Sequence, residues 1–147
     1  MPRILTKKIL SRTDHLLEVR NFVSDAARGF GFAEEDISKI ALAVDEACTN
    51  IITHAYHNDP TKEIVVSVLR DKNRFEVRIV DEGAKFDPTT MKPLDLKEHL
   101  SHYRRGGLGV YLMRMLMDEI EYSSLGRKKN EVRLTKYLQP VRSSARG

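Results

Sequence analysis

Residues 43–56 read AVDEACTNIITHAY, and their periodicity makes them the second half of the longest helix the sequence predicts. At about 100° per residue, Ile37, Ile40, Val44, Cys48, Ile51, Ile52 and Ala55 gather on one face, the face that a core covers. Glu46, Asn50 and Thr53 fall on the other side, on a stripe shared with Glu35 and Lys39. The spacing of four between Glu46 and Asn50 sets a carboxylate and a carboxamide one turn apart, able to point at the same object. Taken alone, the stripe reads first as an ordinary solvated face.

The surrounding sequence frames this helix. Glu34, Glu35 and Asp36 suit the positive end of its dipole, and Asn58-Asp59-Pro60 breaks it. Upstream, Leu16, Val19, Phe22, Val23, Ala26 and Ala27 keep helical spacing over 13–28, with Ser11 or Thr13 available as N-cap and Gly29 and Gly31 as the stop. Residues 3–10 form a weakly alternating first strand. Downstream, 63–70 is rich in Ile and Val, Asp71-Lys72-Asn73 supplies a turn, and 74–81 alternates Phe75, Val77 and Ile79 inward with Glu76 and Arg78 outward. That pattern predicts an antiparallel hairpin with one face on the core and one largely wet.

Residues 82–107 carry no sustained strand and at most one short helical turn, at 94–100. Loops of that length in a compact domain are functional lids or disordered. Helical spacing returns over 108–117, and 119–125 and 131–138 read as two further strands joined by a basic turn at 126–130. The expected architecture is an α+β two-layer sandwich, an antiparallel-rich mixed sheet with helices on one face. One domain is expected over 1–138, with 139–147 as a disordered basic tail.

Bulk properties narrow the function. A chain of 147 residues, 41% hydrophobic, suits a single packed core. Twenty-five basic against 21 acidic residues give a net charge of +4 spread along the chain, without the basic stripe and interleaved aromatics that nucleic-acid binding would show. The single cysteine, Cys48, excludes an internal disulfide and, on a core face, reads as a buried thiol in a reducing compartment rather than a nucleophile. There is no signal-peptide pattern and no apolar run near 18 residues. The expectation is a cytoplasmic protein with no membrane partner and no direct nucleic-acid partner.

Chemistry-bearing residues collect in two glycine clusters besides the helix. Gly83 lies in DEGAKFDP, and Gly106, Gly107 and Gly109 lie in RRGGLGVYLM at a helix start. A helix N-terminus with unpaired N–H groups is a ready phosphate site, and Arg104 and Arg105 add charge beside it. A glycine-rich turn also serves as plain helix entry. Asp81 closes a strand and either caps the loop that follows or accepts a hydrogen bond from a ligand's exocyclic amine, a contact that rejects ligands lacking the amine.

In this order, EACTN, DEG and RGGLG resemble the N, G1 and G2 boxes of the GHKL ATPases, over roughly residues 10–138. The phrases AVDEACTNIITHAY, DEGAKFDP, GGLGVYLMR and NEVRLTKYL are more closely similar to the small anti-sigma-factor serine kinases of bacteria. The resemblance implies the Bergerat fold and an ATP-dependent protein serine/threonine kinase that uses Mg²⁺. It implies that such a chain phosphorylates a STAS-domain anti-anti-sigma protein, sequesters a sigma factor and forms a homodimer, with residues 5–19 as the expected dimer contact. By the same resemblance Asn50 holds Mg²⁺ against the ATP phosphates, Glu46 is the general base, and Asp81 reads adenine with Gly83 leaving room for the base. Gly106, Gly107, Leu108 and Gly109 contact phosphate at a lid hinge, Arg105 is a phosphate partner, and His54 and Thr135 lie near the site. One departure is visible: the G1 pattern Asp-x-Gly-x-Gly has Lys85 at its last position, which puts an extra cation near the phosphates. The alternative function is a nucleotide-binding sigma-factor trap, or a regulatory ATPase without protein-kinase activity. A trap has no need of Glu46.

Overall fold

The computed structural model describes residues 3–84, 106–126 and 128–139, the side chains of 106–110 excepted. Strand β1 (Arg3–Leu10) leads through a 3₁₀ turn (Thr13–His15) into α1 (Leu16–Phe30), followed by α2 (Glu34–Asn50). The hairpin β2 (Glu63–Asp71) and β3 (Arg74–Asp81) comes next, then α3 (Gly106–Leu116), β4 (Glu119–Ser124) and β5 (Asn130–Tyr137). The sheet order is β1-β2-β3-β5-β4. Every described pairing is antiparallel, so the sheet has no mixed part here.

Alternation along the strands decides which face is core. Ile64, Val66 and Val68 of β2, Phe75, Val77 and Ile79 of β3, and Val132 and Leu134 of β5 are buried together with α1 and α2. At 20–33 cal/mol per Å² of apolar surface, this layer is the main stabilising term in the fold. The core face expected for α2 is observed, since Ile37, Ile40, Val44, Cys48, Ile51, Ile52 and Ala55 are all buried. Phe30, Phe32 and Phe75 stack with centroids 5.5–5.9 Å apart and tie the α1–α2 corner to β3.

Several boundaries differ from the sequence expectation, each for a local reason. Ser11 does not cap α1; it is buried and its hydroxyl donates to the Asp59 carbonyl, which ties the end of β1 to the turn after α2. Gly29 lies inside α1, and the stop is Gly31 alone, at φ 115°, where its N–H reaches the carbonyls of Ala27 and Arg28. Helix α3 starts at the glycines themselves. The helical turn expected at 94–100, together with Lys85, Arg104, Arg105 and residues 140–147, falls outside the described residues. No helix among the described residues is long and apolar enough to cross a membrane.

Candidate functional site

α2 does not end at Asn50 but widens into a π-helical turn, Ile51–Ala55, in which the Tyr56 N–H bonds the Ile51 carbonyl at 2.8 Å. Such turns are rare and gather at functional sites, because the extra residue per turn redirects side chains and frees carbonyls. Here the freed Ala55 carbonyl accepts the Ala84 N–H at 2.8 Å. The end of α2 and the loop leaving β3 are thereby joined, so the helix that carries Glu46 and Asn50 ends against the turn after Asp81.

The stripe is not the solvated face it first suggests. Glu46 is half-buried, and Asn50 is 7% exposed with an Nδ2 that finds no hydrogen-bond partner among the described residues. Asp45, ion-paired with Arg20, marks the flank of α2 that faces α1. The other flank, with Ala43, Ala47 and Asn50 all buried, is the one turned to α3. Burial, and after it the neighbouring Asp45, raises the Glu46 carboxyl above its ordinary value, the direction a general base near neutral pH needs. His54 is half-buried one turn beyond Asn50. Cys48 is fully buried, and burial together with Asp45 pushes its thiol up to about 12, which makes it inert as a nucleophile.

Asp81 is 5% exposed at the end of β3, on the helix-covered face. Its Oδ1 accepts the Gly83 N–H at 2.8 Å and the Asn130 amide at 3.0 Å. Burial raises its carboxyl above the ordinary range, and the two hydrogen bonds oppose the rise. The Asn130 Nδ2 also bonds the Gly83 carbonyl at 3.1 Å, so one amide braces both the carboxylate and the turn after it. Gly83 is required for a more immediate reason than room for a base: a Cβ there would lie 2.4 Å from the Ala55 carbonyl oxygen and 2.8 Å from Tyr56 Cδ1.

The structure therefore joins the helix that carries Glu46, Asn50 and His54 to the turn that holds Asp81 and Gly83, through the contacts of Ala55 and Tyr56 with residues 82–84. Thr135 is not among them. Val132 and Leu134 point into the core, so Thr135 lies on the opposite sheet face, paired with Glu76 and Glu119. Gly106, Gly107, Leu108 and Gly109 form the first turn of α3, with only their backbone described, and Arg105 lies outside the described residues. Two residues were missed by sequence reasoning, Asn130 and Tyr56. Antiparallel register was the signal for the first, since Asp81 pairs with Asn130 across β3 and β5. Tyr56 carried no signal beyond its place at the end of a helix.

A helix bearing an acid and an amide one turn apart, set against a strand-end Asp in a five-stranded antiparallel α+β sandwich, defines a class that the comparisons confirm. Residues 9–136 match the family of the histidine kinase-like ATPase domain, and the chain belongs to it. Over 136 residues it is 35% identical to the serine-protein kinase RsbW of Bacillus thuringiensis (strain Al Hakam), covering 90% of this chain and 83% of that protein. It is 34% identical to RsbW of Bacillus anthracis with the same coverage. Within the family the chain is thus a protein serine/threonine kinase of the RsbW group. Two solved structures share the fold: SiaB in the SiaB-SiaC complex of Pseudomonas aeruginosa (TM-score 0.68, 16% identity, 90% of this chain and 89% of that one), and the RsbU and RsbW domains of Rv1364c from Mycobacterium tuberculosis (TM-score 0.67, 19% identity, 95% of this chain and 34% of that longer one).

Proposed function

We propose that this kinase uses ATP and Mg²⁺ to phosphorylate a hydroxyl of a STAS-domain anti-anti-sigma protein, and that it sequesters a sigma factor. The observation that carries the site reading is the buried Asn50 Nδ2, without a partner among the described residues, one turn from a half-buried Glu46 with a raised carboxyl. A buried, unpaired amide costs about 1–3 kcal/mol, which a ligand that pairs it recovers. Among the described residues no three His, Cys, Asp or Glu side chains cluster as metal ligands. The unpaired Nδ2 is a donor and would pair a phosphate oxygen, whereas Mg²⁺ would be held by the Asn50 Oδ1 together with phosphate oxygens and waters, an all-oxygen set that suits it. When bound, Mg²⁺ supplies positive charge between the phosphate groups.

In this reading Glu46 takes the proton of the attacking hydroxyl as the γ-phosphoryl group leaves ATP. Asp81 accepts the adenine amine through the oxygen that Gly83 and Asn130 leave free. The backbone of Gly106, Gly107, Leu108 and Gly109 at the start of α3, with Arg105, attends the phosphates. His54 is a further contact from the same helix. A half-buried, raised acid at position 46 favours transfer over a sigma trap that only binds nucleotide. The P. aeruginosa relative was solved as a complex with SiaC, which supports a protein partner for this fold. The homodimer is proposed through residues 5–19, where Leu5, Leu10 and Leu17 are exposed. A charge swap at Arg12 or Arg20 that left dimer mass and sigma affinity untouched would remove that contact.

The test is transfer of label from γ-labelled ATP, with Mg²⁺, to the STAS-domain protein of the same genome. Wild type is expected to transfer, Glu46→Gln to bind ATP without transferring, and Asp81→Asn to bind ATP far more weakly. Tight ATP binding by wild type with no transfer would favour the trap.

A further inference from the structure

Tyr56 is buried at the junction of three segments and is not accounted for by any role above. Its hydroxyl donates to the Glu63 carbonyl at the start of β2, 2.6 Å away, and accepts the Glu82 N–H, 2.7 Å away. Its own N–H closes the π turn on Ile51, and its ring lies against Gly83 so closely that a Cβ there would come within 2.8 Å. Glu82 lies between Asp81 and Gly83, so this hydroxyl holds the middle of the turn whose flanks Asn130 holds through Asp81 Oδ1 and the Gly83 carbonyl. The ring and the hydroxyl thus do separate things. The ring fills space between helix and strand; the hydroxyl sets the turn in register with the helix that carries Glu46 and Asn50.

We propose that Tyr56 is a positioning residue for nucleotide recognition, whose hydroxyl holds the Asp81 carboxylate at a fixed place relative to Asn50 and so sets the preference for an adenine base. The inference rests on the reading of Asp81 as the adenine acceptor. It predicts a separation of effects that a residue serving stability alone would not give. The phosphate contacts proposed at Asn50 and at the start of α3, and the base Glu46, lie on helices and do not depend on the hydroxyl; the base-reading carboxylate does.

The experiment compares wild type, Tyr56→Phe, Asp81→Asn and the double variant for binding of ATP and ITP, alongside melting temperature and turnover. ITP carries the same triphosphate and lacks the exocyclic amine. Tyr56→Phe keeps the ring and is expected to weaken ATP binding about two- to tenfold, the range of one net hydrogen bond. It should reduce the ATP-over-ITP preference and leave kcat at saturating ATP within about twofold, a change confined to ground-state binding. Added to Asp81→Asn it should reduce the preference no further, because both act through one carboxylate. A lower melting temperature with unchanged ATP affinity and unchanged preference would overturn the inference and leave the adenine reading standing. If Asp81→Asn itself keeps the full preference, the adenine reading falls and this inference falls with it.

Discussion

At the strand end of the site Asp81 already has Oδ1 paired with Gly83 and Asn130, whereas at the helix end the Asn50 amide is buried with no partner among the described residues. The first arrangement is preorganised: the carboxylate is held in one orientation before anything binds, so little ordering entropy is lost on recognition. The second carries a cost in the free protein, and the cost is recovered when a ligand supplies the missing acceptor. On the proposed function, selectivity is built where the polar groups are satisfied, and a gain in stability on binding where they are not. Sites that give up stability for function in this way are common, which makes the trade measurable.

The largest effect belongs to the helix end. Glu46→Gln is expected to lower phosphoryl transfer by about 10²–10⁴, the usual contribution of a positioned base, with ATP affinity kept. Loss of affinity instead would mean that the helix end binds more than it catalyses. At the strand end, Gly83→Ala sets a Cβ 2.4 Å from the Ala55 carbonyl, which is backbone and cannot turn aside. The cost should be about 1–3 kcal/mol, as for an overpacked core, or roughly 3–10 °C in melting temperature. An unchanged melting curve would show that the joint between α2 and β3 is looser than its hydrogen bonds indicate.

Asn50→Leu sharpens the contrast because it should act in opposite directions on stability and function. Removing the unpaired amide is expected to stabilise the free protein by about 1 kcal/mol, roughly 2–4 °C, while the ATP-induced rise in melting temperature disappears. A fall in stability would mean that the amide is satisfied in solution.

The smallest effect is a pH dependence. Burial raises the Glu46 carboxyl, so its ionised form is disfavoured in the folded chain. Stability linked to this group is complete below its ordinary value of about 4.3 and is lost as pH climbs through the raised one. Glu46→Gln should then melt higher than wild type near pH 7, with the difference closing as the pH approaches about 4.3. A difference that grew on acidification would reverse the sign of the Glu46 environment.

Most of the fold was legible because it rests on periodicity. The apolar stripe from Ile37 to Ala55 and the alternation of Phe75, Val77 and Ile79 each point to one buried face, and the observed elements follow them. The places of Glu46, Asn50 and Asp81 on a helix face and at a strand end were legible from spacing, while the roles proposed for them come from the family resemblance. What escaped depends on relations between segments. The π turn leaves no trace in a helical wheel, which already assigns Ile51, Ile52 and Ala55 to the core face where they are found buried. Asn130 has no meaning until β5 is laid against β3, and then it stands opposite Asp81. Thr135 is the instructive miss. Residues Val132 and Leu134 fix the parity of β5 and already exclude Thr135 from the helix side, so alternation there outweighs a place implied by the family resemblance.

Cys48 sits in the core between Glu46 and Asn50, fully buried and protonated at any ordinary pH. A thiol reagent in solution can reach this sole cysteine only in moments when α2 has come away from the sheet. Its alkylation rate, set against that of an unstructured thiol, therefore counts how often the helix bearing Glu46 and Asn50 leaves its place, with no probe attached to either.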